Sequence, residues 1–377
     1  MRSEPYVSQS QPLPADTAPP LSDDPPPSGD GGGRLLPWRF HGTAGAYFGI
    51  WIVNLLLTVA TLGVWSAWAK VRAQRWFNAN TEVDGHVFEY HATGWQIFKG
   101  RLLALAVVVL AALPGIVWPQ ANVVLTLVLV VAMPWAINSA LRFRARVTSW
   151  RNVRFDFHGS YGRAFLLFVV MTLASLLTLG LLLPLATRMR VRYLVGGHSW
   201  GGAPMRSSPP LGRCYRAGAM ALAVGLAGAA AAGGIVYLLA GLVAGGTAAA
   251  SGGRSVAPVA AIMAAMYGGL IVGALYYAGR VHQLMLDGLQ VQGGHALQAR
   301  ISAGRYLWIT VSGLLATVFS LGLLYPWARV RRYRYVATRL ALSAAPGLDG
   351  FVSTHRDSPS AFGTEFGALE GLTDGLA

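Results

Sequence analysis

The sequence predicts an all-α polytopic membrane protein of about seven transmembrane helices, built from three internal repeats and joined by short β-hairpin-like loops and interfacial amphipathic helices. Three observations predict it: spanning-length apolar runs, one segment written three times, and basic charge beside the apolar ends. Of 377 residues, 54% are apolar and only 12% charged. Runs of about 18 to 25 apolar residues, each able to cross roughly 30 Å of hydrocarbon as a helix, recur along the chain. They cover approximately Gly45 to Ala69, Leu102 to Trp118, Val123 to Leu141, Ala164 to Ala186, Ala217 to Val243, Ala257 to Ala278 and Leu307 to Ala328.

Residues 1–37 read as a Pro/Gly-rich tail, with eight prolines in the first thirty positions, several acids and the Gly31 to Gly33 run. That is the composition of a solvated, disordered segment. It lacks a basic start followed by an apolar core and small-residue cleavage site, so no signal peptide is expected. Residues 38–342 form the membrane domain, with repeat units near 40–92, 155–202 and 299–342. From 343 to 377 Gly, Ser, Asp and Glu dominate again, and a second disordered tail is expected.

The repeat reads TLGVWSAWAKVRAQRW from Thr61, TLGLLLPLATRMRVRY from Thr178 and SLGLLYPWARVRRYRY from Ser320. Each copy ends an apolar helix at a break, Gly63, Gly180 or Gly322. Pro184 and Pro326, four residues on in the last two copies, suit the first turn of a new helix. The segments after the breaks carry Trp68, Lys70, Arg72, Arg75 and Trp76; Arg188, Arg190, Arg192 and Tyr193; and Trp327, Arg329, Arg331, Arg334 and Tyr335. Aromatic rings beside long cationic side chains are the chemistry of the headgroup layer, so these residues are the candidate lipid contacts. An aromatic belt with a positive flank explains the same residues structurally.

Between the first two apolar runs, Asp84-Gly85 sits between short β-branched and aromatic stretches and predicts a hairpin turn. WRNVRFDFHG from Trp150 and MLDGLQVQGG from Met285 alternate in a similar way, and Gly201-Gly202 occupies the corresponding place in copy two. Glu82, Asp84, His86, Glu89 and His91 form the one polar cluster; a solvated hairpin accounts for it, and neither metal nor cofactor is expected.

The aromatic-Gly entry, Asn54 to Thr58, the break at Thr61-Leu62-Gly63, Trp68 to Arg72, Arg75-Trp76-Phe77, Asn80-Thr81 and Asp84-Gly85 resemble the YjgN family of bacterial inner-membrane proteins. Ser320-Leu321-Gly322, Pro326 to Arg329 and Arg334-Tyr335 resemble the C-terminal copy of that family. The resemblance covers residues 38 to 340 and departs most in copy two, where Leu185 replaces the tryptophan. It implies a multi-pass protein of the bacterial inner membrane and, since the family is a domain of unknown function, no activity.

Charge narrows the function classes. Between residues 35 and 342 there are 27 basic residues against five acidic. The arginines lie within a turn or two of apolar ends, which points to anionic lipid and away from nucleic acid. No apolar run holds Asp, Glu or His between its flanks, so catalysis and proton coupling lack their usual groups, and no phosphate loop or nucleophile motif is present. The chain therefore reads as a non-enzymatic membrane protein engaging anionic lipid or a protein partner. The rival reading is a small-solute transporter or channel on inverted repeats: if all seven runs span, three-helix units turn the middle copy upside down. If instead the repeat helices enter and leave on one side, nearly every arginine shares that side. The spanning lengths favour the seven-span arrangement.

Overall fold

The computed structural model describes residues 34–244, 257–292 and 294–346, together with Leu348, Gly350, Val352 and Ser353. In chain order the elements are β1 (Arg34–Phe40), α1 (Ala44–Ala60), α2 (Ser66–Ala79), β2 (Thr81–Val83), β3 (His86–Tyr90), α3 (Gly94–Ala112), α4 (Pro114–Val117), α5 (Ala121–Arg146), β4 (Thr148–Trp150) and β5 (Val153–Phe157). Next come α6 (Tyr161–Phe165), a π-helical turn (Leu166–Val170), α7 (Met171–Leu177), α8 (Leu183–Gly196), β6 (His198–Trp200) and β7 (Ala203–Arg206). The chain continues through α9 (Leu211–Ala244), α10 (Ala257–Leu286), β8 (Leu289–Val291), β9 (His295–Ala299), α11 (Ala303–Phe319), α12 (Tyr325–Ala337) and β10 (Leu340–Ala344).

The ten strands close into one antiparallel barrel in the order β1-β10-β9-β8-β7-β6-β5-β4-β3-β2. This corrects the all-α expectation. The turn at Asp84-Gly85 is where its chemistry places it, with φ of 52° and 74°, and Arg151-Asn152 (54°, 63°) and Gly201-Gly202 (56°, 85°) repeat it. Positive φ at both central residues is the two-residue hairpin turn whose twist suits paired strands. The loop stretches therefore do not stand alone; they pair with one another around a ring, β1 closing on β10 with Arg34 opposite Ala344. Strands of three to seven residues separated by helix pairs are too short to show a long period, and their partners lie far along the chain.

The barrel interior is packed. Leu36, Val83, Trp150, Val153, Trp200, Ala203, Val291 and Ala344 meet there, flanked by Trp38, Phe88, Phe155, Met205, Leu289 and Leu342. Leu348 and Val352, one helical turn apart in the segment assigned to the C-terminal tail, join the same cluster. Residues 34–37, assigned to the N-terminal tail, belong to β1. The remainder of both tails, residues 1–33 and 354–377, lies outside the described residues.

Strand register decides where the helices go. Each helix pair leaves one strand and returns on its neighbour: Phe40 lies opposite Thr81, Tyr90 opposite Thr148, Phe157 opposite His198, Arg206 opposite Gln290 and Ala299 opposite Leu340. All five helix pairs therefore rise from one rim, and the hairpin turns crowd the other. The pairs contact in sequence around the ring, and α12 meets α1 to close it.

Among the described residues four helices are long and apolar enough to cross a membrane: Gly94–Val117, Ala121–Arg146, Leu211–Leu242 and Pro258–Leu286. At 1.5 Å per residue the 26 residues of α5 extend about 39 Å, beyond a hydrocarbon core of about 30 Å. The other three runs reverse instead of crossing, which corrects the seven-span expectation. The 17-residue α1 extends about 25 Å and then turns back at Gly63. Residues at similar distances before and after the break touch: the Arg72 Nη1 donates to Asn54 Oδ1 at 3.2 Å, Arg190 Nη2 to Thr172 Oγ1 at 2.6 Å and Arg331 Nη1 to Ser312 Oγ at 2.8 Å. Each copy is thus a helical hairpin, and its second helix runs back along the first where an interfacial helix was expected. A hydropathy window adds the two limbs into one run because the reversal takes only five residues, most of them apolar. With every pair on one rim the three copies share one orientation, so the inverted-repeat arrangement is absent.

The turn itself is the same device three times. Leu62, Leu179 and Leu321 have φ near 50° (49°, 50°, 51°), and Gly63, Gly180 and Gly322 come next at 93°, 89° and 93°. The glycine N–H donates to the carbonyl five residues back, Thr58, Ser175 or Thr317, at 2.7 Å in each case. The preceding hydroxyl accepts the first free N–H of the returning helix: Trp65 to Thr61, Leu182 to Thr178 and Leu324 to Ser320, at 2.9, 3.3 and 2.9 Å. Helix ends carry unpaired backbone groups that hydrocarbon cannot satisfy, so the Thr/Ser-Leu-Gly triplet supplies the partners. The three leucines are 95%, 97% and 95% exposed, tips suited to lipid chains. Gly180→Ala is expected to destabilise the purified protein by about 1–2 kcal/mol, the cost of a Cβ in left-handed backbone; an unchanged unfolding midpoint would contradict the turn.

Helices α9 and α10 pack closely: a Cβ on Gly269 would meet the Gly225 carbonyl oxygen at 2.8 Å, and one on Gly273 the Ala221 oxygen at 3.0 Å.

Candidate functional site: the basic rim

Among the described residues no helix contains Asp or Glu; all five acids between 35 and 342 lie on strands or beside them, at Glu82, Asp84, Glu89, Asp156 and Asp287. The helical lysines and arginines gather at the barrel-side ends. Lys70, the farthest out on α2, is eleven residues from β2, or about 16 Å along a helix. The rim is thus a predominantly basic collar beneath the apolar walls, in which Asp156 pairs with Arg146 at 3.0 Å and Asp287 with Arg213 at 3.3 Å.

Part of that collar braces the fold. Besides the deeper arginines bonded to the outgoing helices, three lie twelve residues after the break glycine and hold the turn into the next helix pair. Arg75 donates to the Ala92 and Tyr90 carbonyls at 2.9 and 3.3 Å, Arg192 to Ser208 Oγ at 2.6 Å and Arg334 to the Gly42 carbonyl at 2.8 Å. Arg188 donates to the Pro209 carbonyl at 3.1 Å. Arg329 donates to the Tyr47 hydroxyl at 2.6 Å and sits 4.8 Å over the Phe77 ring, joining the last copy to the first.

The aromatic candidates are similarly engaged. Trp68 stacks with Trp65 at 5.6 Å and meets Phe98 at 5.7 Å; Trp76 packs on Tyr47 at 5.0 Å. Buried Tyr193 donates to Asn138, and the Tyr335 hydroxyl accepts the Ser302 N–H at 2.9 Å. Lys70 is exposed, and its side chain has no hydrogen bond or ion pair among the described residues. Pro184 and Pro326 occupy first turns of α8 and α12 and are buried.

One place collects several candidates into a concavity. Between α1, α11 and α12 lies a cavity of about 690 Å³ lined by Arg305, Arg331, Arg334 and Arg339 together with Trp308, Trp327, Tyr335 and Thr338. Trp327, Arg331, Arg334 and Thr338 succeed one another at helical spacing, so one stripe of α12 forms a wall. Arg305 and Trp308, one turn apart on α11, form the facing wall. Arg305, Trp308 and Arg339 were not among the sequence candidates: Arg305 and Trp308 precede the repeated segment on the other limb of the hairpin, and Arg339 comes after its last helix.

The polar hairpin cluster divides, Glu89 and His91 staying together at Ser149 while Glu82 and Asp84 take other partners. Asp84 pairs with Arg34 at 3.3 Å, His41 with Glu82 at 2.8 Å, and His91 shares a proton with Ser149 at 2.7 Å. Among the described residues no three His, Cys, Asp or Glu side chains gather as a metal site would require. Burial lowers the pKa of His295, which is 2% exposed and accepts the Ala345 N–H through Nδ1 at 3.1 Å. Burial also lowers that of His198, against the Leu194 carbonyl, which raises it. Both histidines belong to the barrel and take no part in the collar.

The chain is 39% identical over 127 residues to the inner membrane protein YjgN of Escherichia coli K12, covering 32% of this chain and 31% of that protein. It is 32% identical over 159 residues to inner membrane protein YjgN of Salmonella typhimurium, covering 42% of this chain and 40% of that protein. The matches thus span 31% to 40% of the length of those relatives. No solved structure matches the chain. A family model described as a bacterial protein of unknown function, DUF898, matches residues 35–369, which takes in every helix pair and every strand but the first residue of β1. The chain belongs to the DUF898 family and is a multi-pass, YjgN-like protein of the bacterial inner membrane.

Proposed function

We propose that this protein is a non-enzymatic inner-membrane scaffold that engages anionic phospholipid headgroups through the basic collar between its barrel and its helices. The observation that carries the reading is the one-sided charge: five helix pairs leave the same rim, their cations gather there and none of them carries an acid. Basic residues beside apolar segments favour the cytoplasmic leaflet, so the barrel faces the cytoplasm. The arginines that brace the fold are poor probes, because removing them also removes internal bonds. The side chains of Arg144, Arg216 and Arg332 are exposed, hold no hydrogen bond or ion pair among the described residues, and sit on three different helix pairs.

Replacing those three by Gln is expected to lower the enrichment of phosphatidylglycerol over phosphatidylcholine in the lipid that co-purifies with the protein from mixed vesicles. Each cation near an anionic surface contributes about 1 kcal/mol, so the loss should be severalfold. An unchanged lipid composition, with the unfolding midpoint also unchanged, counts against the proposal.

A further inference from the structure

We infer that the cavity between α1, α11 and α12 is a specific site for the headgroup of a lipid carrying two phosphates. The inference rests on the lipid-engaging reading above and deepens it. Four guanidinium groups converge on the cavity and no carboxylate lines it. A single phosphodiester would leave three of the four charges uncompensated, whereas two phosphodiesters compensate half of them. Arg305 makes no hydrogen bond or ion pair among the described residues, and Arg339 only faces the Tyr335 ring at 5.9 Å. Arg331 and Arg334 each commit one terminal nitrogen, to Ser312 and to the Gly42 carbonyl, which leaves further N–H donors on each fork.

The arrangement is layered as a phospholipid is. Arg331 and Arg334 follow one another by about one turn on α12, and Arg339 comes just past its end, so the cations stand at successive levels below Trp327. Trp327 lies one turn nearer the bilayer than Arg331 and is 39% exposed, and Trp308 is 66% exposed on the facing helix. Both offer rings to acyl chains.

The repeat itself shows that the site is not a by-product of the fold. Counted from the break glycine, Arg305, Trp308, Arg331 and Arg339 correspond to Ala46, Gly49, Arg72 and Asn80 in copy one. In copy two they correspond to Arg163, Leu166, Met189 and Gly197. All three hairpins fold alike, yet only the third carries the complete set. Stability common to the three copies does not require it.

The test uses the full chain in zwitterionic nanodiscs, with bound lipid counted by native mass spectrometry. Cardiolipin, which carries two phosphates, and phosphatidylglycerol, which carries one, are compared at equal phosphate, with inorganic pyrophosphate as the soluble competitor. The wild type is expected to hold cardiolipin at least about tenfold more tightly than phosphatidylglycerol, a preference abolished by R305Q/R339Q and kept by R39Q on the barrel wall. Each lost charge-assisted contact can account for a change of that order.

Equal binding of the two lipids, or a double variant that behaves as wild type, overturns the inference. So does pyrophosphate that displaces cardiolipin at matched concentration, since the site would then read a free anion. Preference for both anionic lipids over phosphatidylcholine without preference for cardiolipin sinks the site and leaves the collar standing. No anionic preference of any kind removes both.

Discussion

Cysteines introduced at Val87 and Gln298 are expected to react with a membrane-impermeant maleimide from the same side of the membrane, and one at Gln120 only from the other. Val87 lies on β3 and Gln298 on β9, both on the outer wall of one barrel, while Gln120 joins α4 to α5 at the far end of a spanning pair. The native Cys214 is fully buried and should stay silent. A chain crossing at all seven apolar runs would place Val87 and Gln298 on opposite faces, with Gln120 sharing the side of Gln298. The outcome is all-or-none: labelling of Val87 and Gln298 from opposite sides would refute the barrel and restore the inverted repeats. The physical basis is the strand register, since a closed sheet of hydrogen-bonded strands cannot be divided between two sides of a bilayer.

Trp200→Ala is expected to cost about 3–5 kcal/mol, read as a large fall in the unfolding midpoint of the purified protein. Trp200 is 4% exposed, packs 5.3 Å from Trp150 and 6.5 Å from Phe155, and lies at the centre of the barrel interior. The strands around it are so short that their hydrogen bonds alone give little cooperativity; the interior side chains hold the ring closed. Trp118→Ala is the matched comparison, a 65% exposed ring at the far end of the α3–α4 helix, expected to change stability by less than about 0.5 kcal/mol. Similar effects at the two positions would show that the barrel interior is not a packed core.

Between them these experiments separate features readable along the chain from features that were not. The turn at Asp84-Gly85 was legible because a tight hairpin needs two adjacent residues with positive φ, a local requirement. The breaks at Gly63, Gly180 and Gly322 were legible for the same reason. The path of the chain beyond each break was not. A bend that continues outward and one that doubles back have the same local chemistry, and the choice rests on Asn54, Thr172 and Ser312 receiving arginines eighteen or nineteen residues later.

The candidate lipid contacts divided along the same line. Arginine beside tryptophan signals a headgroup layer by composition. Arg75, Arg192 and Arg334 nevertheless spend their guanidinium groups on the turns of neighbouring helix pairs. Their partners include backbone carbonyls, which have no sequence signature. Arg305 and Arg339 carried no local signal, because only the return of α12 along α11 brings them to one cavity.

By itself the sequence determined the membrane environment, the threefold repeat, the positions of its turns and the basic flank, because each depends on residues close together in the chain. Only the tertiary structure decided that the loops form one barrel, that three apolar runs reverse, and that all basic segments share a side. Those outcomes arise from β1 meeting β10 and from each strand meeting its neighbour across an intervening helix pair. Such pairing is selected by packing among distant segments, and no window along the chain contains both partners.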